Sequence, residues 1–364
     1  MKPWHTDRPL LAVLALLVAV AVLLAASAVV PLGVSTFLAN AVGQLAAFAV
    51  LALSLDLIWG YLGILSLGQG LFFGIGGYVV AMHLLKRSLD VTGKVPDFMQ
   101  FMGWTSLPFY WSGFGFFPYA VAMAIVATLL IAGLFGYVSF RSRVGGVYFA
   151  IITQALVYVA MLLMFRNDTG FGGNNGMTGF TLLFGWPIGS PTVVVGMAVG
   201  SVVVLALVLL GCRMLLGSRF GALMLATRDD EVRLRTLGYD TLRLKLAVWC
   251  LAALLAALAG MLYVPQVGII NPRLLAPDLS LEIAVWVAVG GRGNLIGAVL
   301  GALLVNAIKF WLSAAAPELW PFILSALIVL VVMVFPNGLV DLAKFRLIRP
   351  MGPNRLAADA QELR

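Results

Sequence analysis

The sequence predicts an all-α fold, a polytopic membrane helix bundle of about ten transmembrane helices with glycine-interrupted segments. Of 364 residues, 62% are hydrophobic and only 10% charged, with a mean hydropathy of +1.05. Soluble domains carry about 25% charged residues. Apolar runs of near twenty residues recur along the chain, the length that crosses roughly 30 Å of hydrocarbon. The chain also holds 39 glycines, and small residues are what let membrane helices approach one another.

The apolar runs fall at 10–30, 37–59, 61–85, 116–140, 147–165, 192–216, 246–264, 280–290, 295–313 and 319–335. The first follows Lys2 and Arg8 and ends near Ala26-Ser27-Ala28, as a cleaved signal peptide would. Its 21 uncharged residues exceed an ordinary signal core, so it reads as a retained helix. The eighth run is too short to span alone. Starting inside and crossing ten times leaves Lys86, Arg87, Lys94, Arg166, Arg273 and Lys309 outside and the other 17 of 23 basic residues in the cytoplasm. That bias sets the orientation, with both termini cytoplasmic.

Two outer loops are long. The one at 86–115 carries Trp104, Phe109, Tyr110 and Trp111, aromatics suited to the headgroup level. The one at 166–190 contains RNDTGFGGNNG, whose glycines permit close backbone approach and whose Asn174 and Asn175 offer amide donors and acceptors. It reads either as a flexible surface loop or as a docking surface for a polar solute.

Small residues repeat every fourth position at Gly293, Gly297 and Gly301, at Ala252, Ala256 and Gly260, and at Gly70 and Gly74, marking packing seams. The stretch 60–78 has seven glycines and one strongly polar side chain, Gln69. Glycine-rich interruptions at membrane depth commonly line cavities. A second interruption, Gly290-Gly291-Arg292-Gly293-Asn294, lies in the other half. A charge at the bilayer centre costs roughly 2.5–3.5 kcal/mol or more, so Asp56 and Glu282 are expected to face the bundle interior or an interface. Arg273 is the expected counter-ion of Glu282, and Lys309 is expected to snorkel outward. Gln44 and Asn306 are candidates for hydrogen bonds between helices.

The chain shows no phosphate loop, HExxH or GxSxG, and its two histidines, His5 and His83, are far apart. No catalytic residue, metal site or cofactor is expected. Cys212 and Cys250 have neither metal-ligand nor disulfide spacing. The formal charge of +8 is spread over short loops and forms no continuous groove, which excludes nucleic acid as a partner.

Between 213 and 245 lie 11 of the 38 charged residues. Thr227 stands three positions before Asp230, acids fill the next turn, Arg233 and Arg235 follow, and Gly238 comes after Leu237. The pattern predicts one capped helix over about 228–237. A helix that short is marginal alone in water and needs a surface, its own or a partner's.

SRFGALMLATRDDEVRLRTLGYD at 218–240 resembles the cytoplasmic coupling loop of ABC-importer permeases, which docks on an ATP-binding subunit. SLDLIWGYLGILSLGQGLFFGIGGY at 54–78, VGIINP at 267–272 and AVGGRGNLIGAVLGA at 288–302 resemble the branched-chain amino acid permease family. The similarity covers roughly 37–341. Within it, Asp56, Gln69, the insert VPDFMQFMGWTSLPFYW at 95–111 and RNDTGFGGNNG look like the urea-transporting branch. The loop lacks the Glu-Ala-Ala spelling of the wider superfamily.

The resemblance implies a permease domain over 1–341, with a coupling loop at 213–245 and a cytoplasmic tail at 342–364, in a bacterial inner membrane. It implies a homologous second permease, two ATP-binding subunits and a periplasmic binding protein as partners. Urea or a short amide would be the solute, with Asp56, Gln69, Asn174, Asn175, Glu282 and Asn306 as pathway candidates. Arg219, Arg228, Asp229, Asp230, Glu231, Arg233 and Gly238 would couple to the ATPase. A branched-chain amino acid importer and a stand-alone transporter or channel are the alternatives.

Overall fold

The computed structural model describes residues 7–29, 35–93, 95–101, 104, 106–334 and 338–339. The expected tail at 342–364 and the terminal positions 30 and 335 of two expected spans lie outside the described residues. The helices are α1 (Arg8–Val29), α2 (Thr36–Asp56), α3 (Gln69–Thr92), a short α4 (Asp97–Phe101), α5 (Phe117–Arg141), α6 (Val147–Phe165), α7 (Pro191–Gly217), α8 (Arg219–Asp229), α9 (Glu231–Thr236), α10 (Thr241–Val267), α11 (Pro277–Gly290), α12 (Leu295–Ala315) and α13 (Trp320–Val334). Four two-residue strands complete them: β1 (Met177–Thr178), β2 (Leu182–Leu183), β3 (Trp186–Pro187) and β4 (Ile269–Ile270). β1 pairs antiparallel with β4, and β2 with β3. Each expected apolar run corresponds to a helix, and seven helical stretches among the described residues are long and apolar enough to cross a membrane. α11, at 14 residues, rises only about 21 Å.

In lipid a helix that is apolar all round gains nothing from hydrophobicity when it meets a neighbour, so small residues decide which face turns inward. α5 shows this plainly. Its buried positions Ala120, Ala124, Thr128, Ala132 and Gly136 recur every fourth residue, while Leu130, Leu134 and Val138 face outward. That stripe admits Trp249 of α10, whose Nε1 donates to the Ala132 carbonyl at 2.9 Å. On α3, a Cβ at Gly76 would overlap the Ala257 carbonyl, and on α10 a Cβ at Gly260 would overlap the Phe73 carbonyl. Gly297 and Gly301 of α12 likewise lie against the backbone of Gly290 and Trp286 in α11. α2 is the axis, in contact with α7, α10, α11 and α12 and buried over most of its length.

The structure corrects the third expected span. Instead of one helix over 61–85, α2 passes into a π-helical turn at Leu57–Tyr61, the chain then runs without helix, and α3 starts at Gln69. Gly63 adopts φ +81°, which suits glycine best. The freed backbone groups find partners: Leu67 N–H donates to Thr153 Oγ1 at 3.0 Å, and Gly68 N–H to Ser66 Oγ at 3.1 Å. A second break separates α11 from α12 at 291–294. There Gly291 and Gly293 take φ +114° and +76°, and Asn294 Oδ1 caps α12 by accepting from the amides of Ile296 and Gly297.

The charged islet differs from expectation too. It forms two helices rather than one over 228–237. Thr227 is buried inside α8, where its hydroxyl donates to the Leu223 carbonyl at 2.8 Å, so it cannot cap. Ser218 caps α8, and Asp230 caps α9 by accepting from the Arg233 amide at 2.9 Å. Gly238 follows the end of α9 at φ +88°, as the glycine stop predicts.

The α3–α10 seam is open to a direct check. Gly76→Leu or Gly260→Leu forces backbone against backbone and should cost at least about 3 kcal/mol, removing monodisperse protein from detergent extracts. Gly196→Ala, on α7 with nothing within 4 Å of its Cβ position, should leave the thermal melt unchanged or slightly raised.

Candidate functional site

On the face carrying α8 and α9, the two helix interruptions meet. The Asp56 carboxylate is fully buried, and its Oδ1 accepts the Gly293 amide at 2.8 Å. Gly60, one turn further on, lies so close to Gly293 that an added Cβ would come within 2.5 Å of the Gly293 nitrogen and would overlap Asp56 Oδ1. From the islet, Arg228 Nη1 donates to the Gly60 carbonyl at 2.9 Å. Arg292, between the paired glycines, lies over the Trp59 ring at 5.5 Å. Three distant pieces of sequence, 56–60, 228 and 292–293, thus form one junction. Asp56, expected as a pathway residue, stands here beside the coupling loop. Gly60 was not singled out; its signal was the seven-glycine stretch to which it belongs.

The remaining islet residues divide into two groups. Glu231 turns inward: Oε1 accepts from Arg235 at 2.7 Å and Thr241 at 3.1 Å, and Oε2 pairs with Lys245. Burial alone would raise this carboxyl, but the bond and charge of Lys245, with those from Thr241 and Arg235, hold it below its ordinary value. Glu231 therefore clamps α9 to α10. Leu234 is buried beneath α9, whereas Arg219, Asp229, Asp230, Arg233 and Gly238 are exposed. Val232, Leu237 and Tyr239 are exposed as well, by half or more. α9 thus rests on its own chain through one apolar side and offers a mixed apolar and charged surface on the other.

The other candidate pathway residues occupy separate places. Gln69 is buried at the start of α3, with Oε1 3.4 Å from Ser54 Oγ and Nε2 unpartnered among the described residues. Asn306 is buried in α12; its Nδ2 donates to the Ala302 carbonyl at 2.8 Å and its Oδ1 is unpartnered. Asn174 and Asn175 are exposed on a 3-10 turn. That loop is built rather than loose: β1 pairs with β4, Tyr110 donates to the Thr169 carbonyl, and a Cβ on Gly176 would overlap the Ile270 carbonyl.

Glu282 sits at the wall of a cavity of about 660 Å³ near the opposite face. Its counter-ion is Lys309, not Arg273: Lys309 Nζ lies 2.9 and 2.6 Å from the two carboxylate oxygens, and Trp320 Nε1 donates to Oε1 at 3.1 Å. Lys309 also lies over the Trp320 ring at 5.4 Å, so it reaches inward instead of snorkelling. Phe48, Tyr158 and Tyr263 line the same cavity, and Arg273 and Asp278 stand at its exposed edge. The arrangement offers aromatic walls, a neutralised ion pair and two opposite charges at the rim.

Comparison with known proteins follows the same outline. The family described as branched-chain amino acid transport system / permease component matches residues 37–332. The high-affinity branched-chain amino acid transport system permease protein LivM of Escherichia coli K12 is 26% identical over 82% of this chain and 68% of its own length. Its counterpart BraD of Pseudomonas aeruginosa is 23% identical over 80% of this chain and 91% of its own. The ribose import permease protein RbsC of Escherichia coli K12 is 26% identical over 60% of this chain and 68% of its own. No solved structure matches. With a family match that runs from α2 to the end of the bundle, the chain belongs to the branched-chain amino acid transport system permease family.

Proposed function

We propose that this chain is the membrane-spanning subunit of an ATP-driven importer for urea or a short-chain amide. It works with a homologous second permease, two ATP-binding subunits and a periplasmic binding protein in a bacterial inner membrane. The α8–α9 face, and with it both termini, is cytoplasmic. Relatives named as permeases of transport or import systems support this division of labour. So does the exposed surface of α9, which no part of the described chain covers.

The observation that carries the choice of solute is the chemistry of the buried polar groups. Of the buried side-chain polar atoms unpartnered among the described residues, Gln69 Nε2, Asn306 Oδ1, Tyr78 OH and Asn40 Oδ1 belong to uncharged groups, and only Asp56 Oδ2, at the α8–α9 junction, belongs to a carboxylate. The buried charge near the outer cavity is already neutralised within the chain by Lys309. A neutral solute that is both hydrogen-bond donor and acceptor matches such groups without the cost of desolvating a net charge. One observation favours a branched-chain amino acid instead: the outer cavity combines Arg273 and Asp278 with the aromatic walls of Phe48, Tyr158 and Tyr263. Those groups suit a carboxylate, an ammonium and an apolar side chain.

Coupling follows from the junction. A push on α8 reaches Gly60 through Arg228 and passes to the α11–α12 break through Asp56 and Gly293. Each link is a hydrogen bond to or from a charged group, the class worth about 1.5–3 kcal/mol.

Labelled urea and leucine uptake should be compared in cells with and without the gene. Loss of urea uptake alone is expected; unchanged urea uptake sinks the reading. Arg228→Ala is expected to lower uptake per ATP hydrolysed by about tenfold in the assembled importer. Alanine at all of 228–231 should also lose the ATPase during purification in mild detergent. Normal assembly and hydrolysis in that variant would contradict the coupling role.

A further inference from the structure

A second cavity, of about 560 Å³, lies between α3, α5, α7 and α10. Val121, Ile125, Met197, Leu258 and Met261 are among its walls, and Phe184 stands at its edge. Two polar residues reach it, and both are largely spent. His83 Nδ1 is bonded to the Phe114 carbonyl at 2.6 Å. Ser201 Oγ donates to the Met197 carbonyl at 3.0 Å and accepts from Gln266 Nε2 at 2.8 Å. Buried water needs two to four polar partners, and the lining side chains offer no free donor and only two acceptor sites, the other His83 nitrogen and the second lone pair of Ser201 Oγ. Neither water nor a polar solute suits this space, so it plays no part in the proposed pathway.

The surroundings indicate what does. Arg87 lies one turn beyond His83 on α3 and is exposed. It makes no ion pair among the described residues. Next to it in sequence, Ser88 Oγ accepts from Thr181 Oγ1 at 2.8 Å, and the β2–β3 hairpin that follows Thr181 turns through Phe184 and Gly185, both at positive φ. Phe184 is held there by an edge-on contact with Phe117 at a centroid distance of 5.0 Å. Phe184 and Trp186 are both more than 60% exposed, as befits aromatics at the headgroup level. An apolar cleft at membrane depth therefore lies beneath an unpaired guanidinium and an aromatic hairpin.

We infer that this cleft holds an acyl chain of a membrane phospholipid whose phosphate is received by Arg87. The charge pattern complements the ligand: guanidinium binds a phosphate diester through paired N–H donors, and the walls below match hydrocarbon. The site does not depend on which solute the importer carries.

Gly200 gives a clean probe, because it lines the cavity and has nothing within 4 Å of its Cβ position. Gly200→Phe should fill the cleft, and Arg87→Gln should remove the phosphate contact from a solvated position without altering the core. Native mass spectrometry of the assembled complex in mild detergent, with phosphatidylglycerol added, should retain about one tightly held phospholipid per permease chain. Retention should fall at least about tenfold in each variant. No retained phospholipid in the unaltered complex, or retention in both variants equal to that of the unaltered complex, would overturn the proposal. So would efficient cross-linking of Gly200→Cys to the second permease, which would make the occupant a protein side chain. Failed urea uptake with these results intact would count against the proposed solute and leave the lipid site standing.

Discussion

A single buried hydrogen bond, from the Gly293 amide to Asp56 Oδ1, fixes how the two halves of this bundle meet. The carboxylate is taken wholly out of solvent at the end of α2, an expensive position that the bond to Oδ1 offsets, while Oδ2 has no partner among the described residues. Engaging Oδ1 requires a backbone N–H that no helix is using, which the broken segment between α11 and α12 supplies. The approach also requires that Gly60 and Gly293 lack side chains, since the backbones there are separated by less than a Cβ would occupy. Once these are in place, the carbonyl of Gly60 faces the loop helices, and Arg228 caps it. Breaks that would be unsatisfied in lipid are thereby satisfied in part by one another.

The remainder of the bundle holds that junction in position. α2 lies between α7, α10 and α12, and the Gly76, Ala257, Gly260 and Phe73 backbones press α3 onto α10. The α11–α12 pair is closed by Gly290 and Gly297 at one end. At the other, Glu282, Lys309 and Trp320 tie α11, α12 and α13 together. Thus the short α11 is secured at both ends, by glycine contact and the Asp56 bond on one side and by an ion pair on the other. The Glu231–Lys245 pair ties α9 to α10, and the chain itself ties it to α8.

Much of this was legible in the sequence. Apolar runs marked the helices, and Gly260, Gly297 and Gly301 marked seams that do press on backbone. The family resemblance was carried by the segments that build the junction. What could not be read were pairings made across long stretches of chain. Thr227 read as the cap of the loop helix, but it is buried in α8 and Asp230 caps α9 instead. Arg273 is nearer in sequence to Glu282 than Lys309 is, yet the antiparallel return of α12 brings Lys309 to it. Residues 61–68 are as apolar as a helix, but Gly63 and the hydroxyls of Ser66 and Thr153 let the backbone leave one. Asp56 read as a pathway group because intramembrane carboxylates often are; its partner lies 237 positions away.

The central claim is that Arg228 and Asp56 act as one unit in passing motion from the loop helices to the α11–α12 break. A double-mutant cycle on urea uptake per ATP hydrolysed, using Arg228→Ala and Asp56→Leu in the assembled importer, tests it directly. If the two residues form one chain of contacts, the double variant should be no worse than the poorer single variant. Losses that multiply would show independent roles and contradict the account.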